Sequence, residues 1–142
     1  MGRRASREVA MKLLYQLEIQ RDDREEQIKT ALEENSLTQS DADYLLDVIE
    51  GVNNNLPYID KIIEKSSKSW KINRLSKVDL SILRLGIYEI SYRDDIPFSV
   101  SINEAVELAK KYSGDEAGSF INGVLGKVAT LRVDPSEEKS DT

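Results

Sequence analysis

The sequence predicts an all-α protein of about seven helices. Its 142 residues are 39% hydrophobic and include only 3 Pro and 7 Gly, and apolar residues recur at helical rather than alternating spacing along most of the chain. We expect a compact helical domain over residues 1–132. Residues 133–142 carry little apolar surface, so they are expected to form a disordered acidic tail.

Four helices are expected in the first half of the chain. The first, over about residues 3–20, has an apolar stripe made of Ala10, Leu13, Leu14 and Leu17. The second carries Ile28, Ala31 and Leu32. Thr38 and Asp41 have the spacing of a capping box that starts the third, whose buried side comprises Leu45, Leu46 and Ile49. Asn53–Asn55 suits its end, and Pro57 suits the first turn of a fourth helix.

A central helix and a sixth helix are expected next. Apolar residues occupy nearly all sides of the chain from Ser76 to Tyr92, which indicates a helix in the middle of the fold. Ser101 and Glu104 have the spacing of a capping box, so the sixth helix is expected to start there and to end near Gly114.

The last helix is expected over about residues 117–131. Its core-spaced residues are Phe120, Ile121, Val124, Leu125, Val128 and Leu131. Gly123 and Gly126 lie within it although glycine costs about 1 kcal/mol relative to alanine in a helix. We therefore expect another backbone to pack closely against both glycines.

The composition argues against most familiar active sites. The chain has no Cys and no His, which removes thiolate nucleophiles, the commonest metal ligand and the usual acid or base near neutral pH. The glycines lack the spacing of a phosphate-binding loop, and no carboxylate pair is bracketed by a nucleophile or base. No apolar run approaches the roughly 20 residues that span a bilayer. We expect a cytoplasmic protein without enzymatic activity, cofactor, metal or membrane segment.

Basic residues are concentrated in two stretches of an acidic chain. The formal net charge is -6, yet residues 1–12 contain Arg3, Arg4, Arg7 and Lys12 against one acidic residue, Glu8. Guanidinium groups on one helix can bind phosphates or stack on unpaired bases, which indicates an RNA surface. From charge alone, a solvated helix start in which Arg4 pairs with Glu8 is the favoured alternative. The lysines of residues 61–77 are interpreted as a second, solvated surface.

Three sequence blocks in the second half of the chain then supply further evidence. ILRLGIYE, INEAVELAK and FINGVL occur in that order, and the chain opens with RRASREVAMKLLYQLE. Over about residues 3–131 the sequence resembles the NusB family of bacterial transcription antitermination factors. The resemblance implies two small helix bundles and binding of boxA RNA in nascent transcripts together with the small-subunit ribosomal protein NusE. It also implies an antitermination complex on RNA polymerase, notably during ribosomal RNA transcription.

The resemblance also points to individual residues. Arg3, Arg4 and Arg7 match the family's arginine-rich RNA-binding segment, Phe120 matches an aromatic position beside the RNA, and Glu116 an acidic position near it. The RNA-binding residues expected in this sequence are Arg3, Arg4, Arg7, Lys12, Phe120 and Glu116. Asp79 matches an acidic position on the surface for the ribosomal-protein partner, and it also fits a capping box begun by Ser76.

Other functions stay open at this point. The same fold occurs at the start of ribosomal RNA cytosine methyltransferases, but we expect no catalytic domain here because no residues remain for one. A protein–protein adaptor would leave the arginines merely solvated. A homodimer could bury the arginine helix until partner and RNA arrive.

Overall fold

A computed structural model describes residues 2–67 and 71–133 of the chain, with side chains up to residue 131. In these ranges it contains seven α-helices, a single 3₁₀ turn at Ile72–Arg74 and no strand. The helices are α1 Arg3–Ile19, α2 Arg24–Glu34, α3 Gln39–Asn54, α4 Leu56–Ser67, α5 Lys77–Tyr92, α6 Phe98–Tyr112 and α7 Asp115–Val133. The predicted all-α class is confirmed. The predicted acidic tail lies outside the described residues, except for Val133 at the end of α7.

Helix α5 is the centre of the fold, as its all-round apolar sequence predicts. Every residue from Leu80 to Ile90 is buried, including the polar residues Ser81, Arg84 and Glu89. The helix packs against α1 and α3, which also contact each other, and against α4, α6 and α7, of which α7 contacts both of the others. The other helices thus form two groups that share α5 as their common core element.

Two of the three expected helix caps are present. The hydroxyl of Thr38 accepts a bond of 3.1 Å from the backbone N–H of Asp41, and Ser76 does the same for Asp79 at 3.0 Å. The cap expected at Ser101 is wrong, because α6 begins three residues earlier, directly after Pro97. Ser101 lies inside the helix, buried, and its hydroxyl donates to a carboxylate of α5 instead.

Two apolar residues lie outside the stripes to which the sequence assigned them. Leu46 and Leu131 are exposed. In α3 the buried side instead follows a regular helical spacing, at Leu45, Val48, Ile49 and Val52. Leu46 is therefore turned about 100° away from Leu45, because successive helical residues differ by that angle.

The close packing expected at Gly123 and Gly126 is wrong, since no atom lies within 4 Å of where their Cβ atoms would be. Close approaches occur at other glycines. A Cβ at Gly51 would lie 2.1 Å from the ring of Tyr88, and one at Gly86 would lie 2.7 Å from Leu125. The positions at which close packing requires glycine therefore lie in α3 and α5, and the glycines of α7 do not predict them.

A buried arginine attaches the C-terminal half of α1 to α4 and α5. The guanidinium of Arg84 donates two bonds to Asp60, at 2.9 and 2.8 Å, and one of 2.7 Å to Glu18. Lys77 donates a further bond of 3.3 Å to Glu18. Three helices are thereby linked around one arginine.

Glu18 makes the stability of this link depend on pH. Burial raises the pKa of Glu18, but bonds and charges from Arg84 and Lys77 bring it below its ordinary value. A carboxylate of this kind stabilises the fold above its ordinary pKa, and its contribution is lost as the pH falls through the lower, folded-state pKa. We expect Glu18→Gln to reduce the free energy of unfolding by about 1–2 kcal/mol at pH 7 and much less at pH 3. Urea denaturation at both pH values tests this, and an equal loss at the two would contradict it.

Candidate nucleic-acid interface

The basic segment of α1, which comprises Arg3, Arg4, Arg7 and Lys12, is divided between two faces of the helix. Arg3 and Arg7 face α3 and α5, where their acidic partners lie. Arg4 and Lys12 lie with Glu8 on a neighbouring face, because residues four apart in a helix lie on the same side. The structure therefore does not form one patch from all four side chains.

Arg7 is buried and committed to one partner. Its Nε donates a bond of 2.9 Å to Glu89, and its Nη2 donates one of 3.3 Å to the other carboxylate oxygen. Its side chain is only 7% exposed. Burial lowers the pKa of Arg7, but Glu89 more than restores it, so the guanidinium stays charged. Direct contact of Arg7 with RNA stays a prediction, and in this geometry its donors point into the protein.

Glu89 of α5 gathers side chains from three other helices. Besides Arg7 of α1, it accepts bonds from the hydroxyl of Tyr44 in α3 and, at 2.7 Å, from that of Ser101 in α6. The carboxylate is 1% exposed. A buried charge is tolerated when it is paired and fully hydrogen-bonded. Burial together with Glu89 raises the pKa of Tyr44 well above its ordinary value, so the phenol stays a donor.

This arrangement around Glu89 fixes the first turns of α1 on the bundle. Arg3 lies just outside it, with its guanidinium carbon 4.4 Å from the centre of the Tyr44 ring. Arg3 also donates to Asp41 at 3.3 Å and to Ser40 at 3.2 Å. Its side chain remains partly exposed. Cation–π contact and two hydrogen bonds therefore hold Arg3 at the edge of the surface.

Arg4 is the most accessible of the three arginines. Its Nε and Nη2 donate to both carboxylate oxygens of Glu104 in α6, at 3.0 and 2.7 Å. Arg4 is 73% exposed, whereas Glu104 is 16% exposed. The bond from Arg4 lowers the pKa of Glu104, which keeps it ionised at neutral pH. The expected pairing of Arg4 with Glu8 is not what the structure shows.

One turn further along, α1 contacts α6 again through Glu8. Glu8 accepts bonds from Lys111, at 3.1 and 3.2 Å, and from the hydroxyl of Tyr112. Lys12 lies 3.5 Å from the same carboxylate. We call this set the α1–α6 seam; its members are Arg4, Glu8, Lys12, Glu104, Lys111 and Tyr112. Lys111 and Tyr112 were not singled out from the sequence, because their partner Glu8 lies more than 100 residues away.

The remaining expected RNA residues lie on α7. Gly114, with a φ of 111°, ends α6 and lets the chain turn into α7. Glu116 is exposed in the first turn of α7. Phe120 is half-buried one turn later and packs against the core. Both follow closely after Tyr112, so this end of α7 begins next to the seam.

Asp79 lies in the first turn of α5, at the opposite end of that helix from Glu89. Ten residues separate the two, which is about 15 Å along the helix. The backbone N–H of Asp79 is capped by Ser76. Its Oδ1 is buried and has no hydrogen-bond partner within the described part of the chain. Buried polar atoms without a hydrogen-bond partner are uncommon in native structures.

The described residues contain neither a cluster suited to a metal ion nor a helix suited to crossing a membrane. Over 2–67 and 71–133, no group of three Asp or Glu side chains is arranged to hold a metal ion. Nor does any of the described helices combine the length and apolar character that a membrane crossing requires.

The family model for the NusB family matches residues 4–130. The chain belongs to the NusB family. It is 67% identical over 129 residues to the transcription antitermination protein NusB of Ruminiclostridium cellulolyticum, covering 91% of this chain and 89% of that protein. It is 65% identical over 133 residues to the NusB of Acetivibrio thermocellus, covering 94% and 92%. The family predicted from the sequence is confirmed.

Solved structures agree with this assignment. T. maritima NusB has a TM-score of 0.85 and 37% identity, with 92% of both chains covered. A structure of antitermination factors NusB and NusE in complex with dsRNA has a TM-score of 0.81 and 30% identity, covering 91% of this chain and 96% of that chain. The fold predicted for the family is therefore present in this protein.

Proposed function

We propose that this protein is a transcription antitermination factor that binds boxA RNA of nascent transcripts together with the ribosomal protein NusE. The observation that carries the proposal is the position of Arg4, which is anchored to a recessed carboxylate and yet 73% exposed. The family membership and the related complex of NusB and NusE with dsRNA support it. In this proposal the protein acts in the cytoplasm by assembly on RNA polymerase, without catalysis.

The three arginines have different roles in the proposed RNA binding. Arg4 and Arg3 contact phosphates or unpaired bases, for which planar guanidinium groups are suited. Arg7 positions α1 through its buried pair with Glu89, and its direct contact with RNA stays a prediction. Lys12 extends the cationic surface, and Phe120 and Glu116 lie beyond the seam on α7.

NusE binds at the start of α5 in this proposal. The family resemblance supports the assignment, because Asp79, which is half-buried in the first turn of α5, matches an acidic position on that family's surface for the ribosomal protein. Asp79 and the Glu89 end of α5 are about 15 Å apart along the helix. RNA and protein therefore occupy separate surfaces and can bind at the same time.

Fluorescence anisotropy of a labelled boxA-type RNA tests the proposal. The RNA is titrated with this protein alone and with added NusE, beside a scrambled RNA at the same salt concentration. We expect selective binding of the boxA-type RNA that tightens with NusE, and by linkage RNA must tighten NusE binding by the same factor. Equal binding of both RNAs, or none, would contradict the proposal and favour a protein–protein adaptor.

Glu104 is expected to weaken RNA binding, because it occupies the guanidinium of Arg4. We expect Glu104→Gln to raise RNA affinity about two- to fivefold at 0.1 M salt, the range that an exposed ion pair spans. Glu50→Gln is the matched control, since Glu50 is an exposed carboxylate on α3 that pairs with Arg24. Both variants change the net charge equally. An unchanged or lower affinity for Glu104→Gln would show that the pair orients Arg4 rather than competing for it.

A further inference from the structure

At the far end of the α1–α6 seam, an aromatic ring lies near two ammonium groups. Tyr112 is 37% exposed. The Nζ atoms of Lys12 and Lys111 lie 5.5 and 5.4 Å from the centre of its ring. Both lysines also pair with Glu8. The Tyr112 ring, the two ammonium groups and the Glu8 carboxylate therefore form one cluster.

The outward side of this cluster is cationic although Glu8 is part of it. Lys12 and Lys111 are 57% and 60% exposed, whereas Glu8 is 23% exposed. The bond from Tyr112 and the two lysines lower the pKa of Glu8, so its carboxylate stays ionised and holds all three side chains in place. The nearest exposed acid on α6 is Glu107, one turn before Lys111.

These groups fit single-stranded RNA better than they fit a protein. Bases stack on exposed aromatic rings whatever their sequence, and lysines beside the ring bind the adjoining phosphates. Lys12 is eight residues from Arg4, about 12 Å along α1. That distance corresponds to roughly three to four stacked nucleotides at 3.4 Å each. One strand can therefore contact both ends of the seam.

We propose that Tyr112, with Lys12 and Lys111, is a base-stacking subsite for the RNA strand that Arg4 binds. This inference rests on the proposed function and names a further part of the same surface. A base stacks on the Tyr112 ring, and the two ammonium groups turn to the phosphates on either side of it.

Tyr112→Leu and Tyr112→Phe test the subsite by anisotropy with the boxA-type RNA. We expect Tyr112→Leu to weaken binding about tenfold and Tyr112→Phe to stay within about twofold, because only the first removes the ring. Tyr58→Leu is the matched control, since Tyr58 is an exposed tyrosine on α4, away from the seam.

Lys111→Gln should reduce the slope of log affinity against log salt by about 0.7. Thermal unfolding of each variant confirms that it is folded.

The outcomes separate this inference from the function on which it rests. If the Arg3→Ala/Arg4→Ala variant loses RNA affinity while Tyr112→Leu and Lys111→Gln do not, the subsite is absent and the proposed function stands. If Tyr112→Phe loses as much RNA affinity as Tyr112→Leu, RNA binding depends on the hydroxyl bond to Glu8, and stacking is refuted. If Tyr112→Leu weakens NusE binding instead, the cluster is a protein surface. No RNA binding by the unchanged protein would refute both proposals.

Discussion

Glu89→Ala is expected to lower the free energy of unfolding by about 3–5 kcal/mol, a large share of the roughly 5–15 kcal/mol that stabilises a natural domain. The reason is the charge that the change leaves behind. Arg7 would stay buried in α1 without its carboxylate, and the hydroxyls of Tyr44 and Ser101 would lose their acceptor. Unsatisfied buried groups of this kind are among the causes of the largest losses in mutational studies.

Urea denaturation monitored by circular dichroism measures this loss. Glu50→Ala is the control, because Glu50 is an exposed carboxylate whose pair with Arg24 lies at the surface, and it should cost less than about 1 kcal/mol. The double variant Arg7→Met/Glu89→Leu should recover much of the stability, since apolar side chains can replace a buried ion pair. If Glu89→Ala lowers the free energy of unfolding no more than Glu50→Ala does, the bonds to Glu89 do not hold the helices together.

Arg3→Ala/Arg4→Ala is expected to weaken RNA binding by roughly tenfold or more at 0.1 M salt. Each guanidinium lost removes one charge-assisted contact with the strand. If both contact phosphates, the slope of log affinity against log salt should fall by about 1.4, or 0.7 per contact. Anisotropy titrations between 0.05 and about 0.3 M salt give affinity and slope together.

Lys61→Ala/Lys65→Ala is the matched control for that variant. Both lysines are exposed on α4 and carry the same total charge as the two arginines. We expect it to change RNA affinity by less than about threefold, because screening at 0.1 M salt limits the reach of surface charges to about 10 Å. Equal losses in the two variants would mean that RNA responds to net charge alone. Arg7 is not replaced in these variants, because losing its buried pair with Glu89 would destabilise the fold.

Local interactions made most of the fold predictable. Thr38 and Ser76 were recognised as caps because each bonds a backbone group three residues away. The same short pattern failed at Ser101, whose hydroxyl bonds Glu89, a residue of the previous helix. Apolar periodicity predicts α5 correctly because all its sides are buried. In α3 it also assigns Leu46 to the buried side, but Leu46 is exposed, unlike its neighbour Leu45.

The candidate site was predictable in composition but not in geometry. Charge identified the basic segment of α1 as a candidate surface, and the family resemblance then favoured RNA binding over a solvated helix start. Which arginine is buried and which exposed depends on Glu89 and Glu104, which lie 82 and 100 residues further along the chain. Tyr112 was missed for the same reason, since its role becomes apparent only when α6 is placed beside Glu8.

The long separation of these partners has a consequence for a chain made from its N-terminus. Until residues 89 and 104 have been synthesised, α1 lacks the carboxylates that later pair with Arg7 and Arg4, so the guanidinium groups of these two arginines have no partner. Contacts this distant in sequence form late, because the intervening loop must first be closed. The RNA surface of the nascent protein is therefore completed only when α6 has been made, near the end of translation.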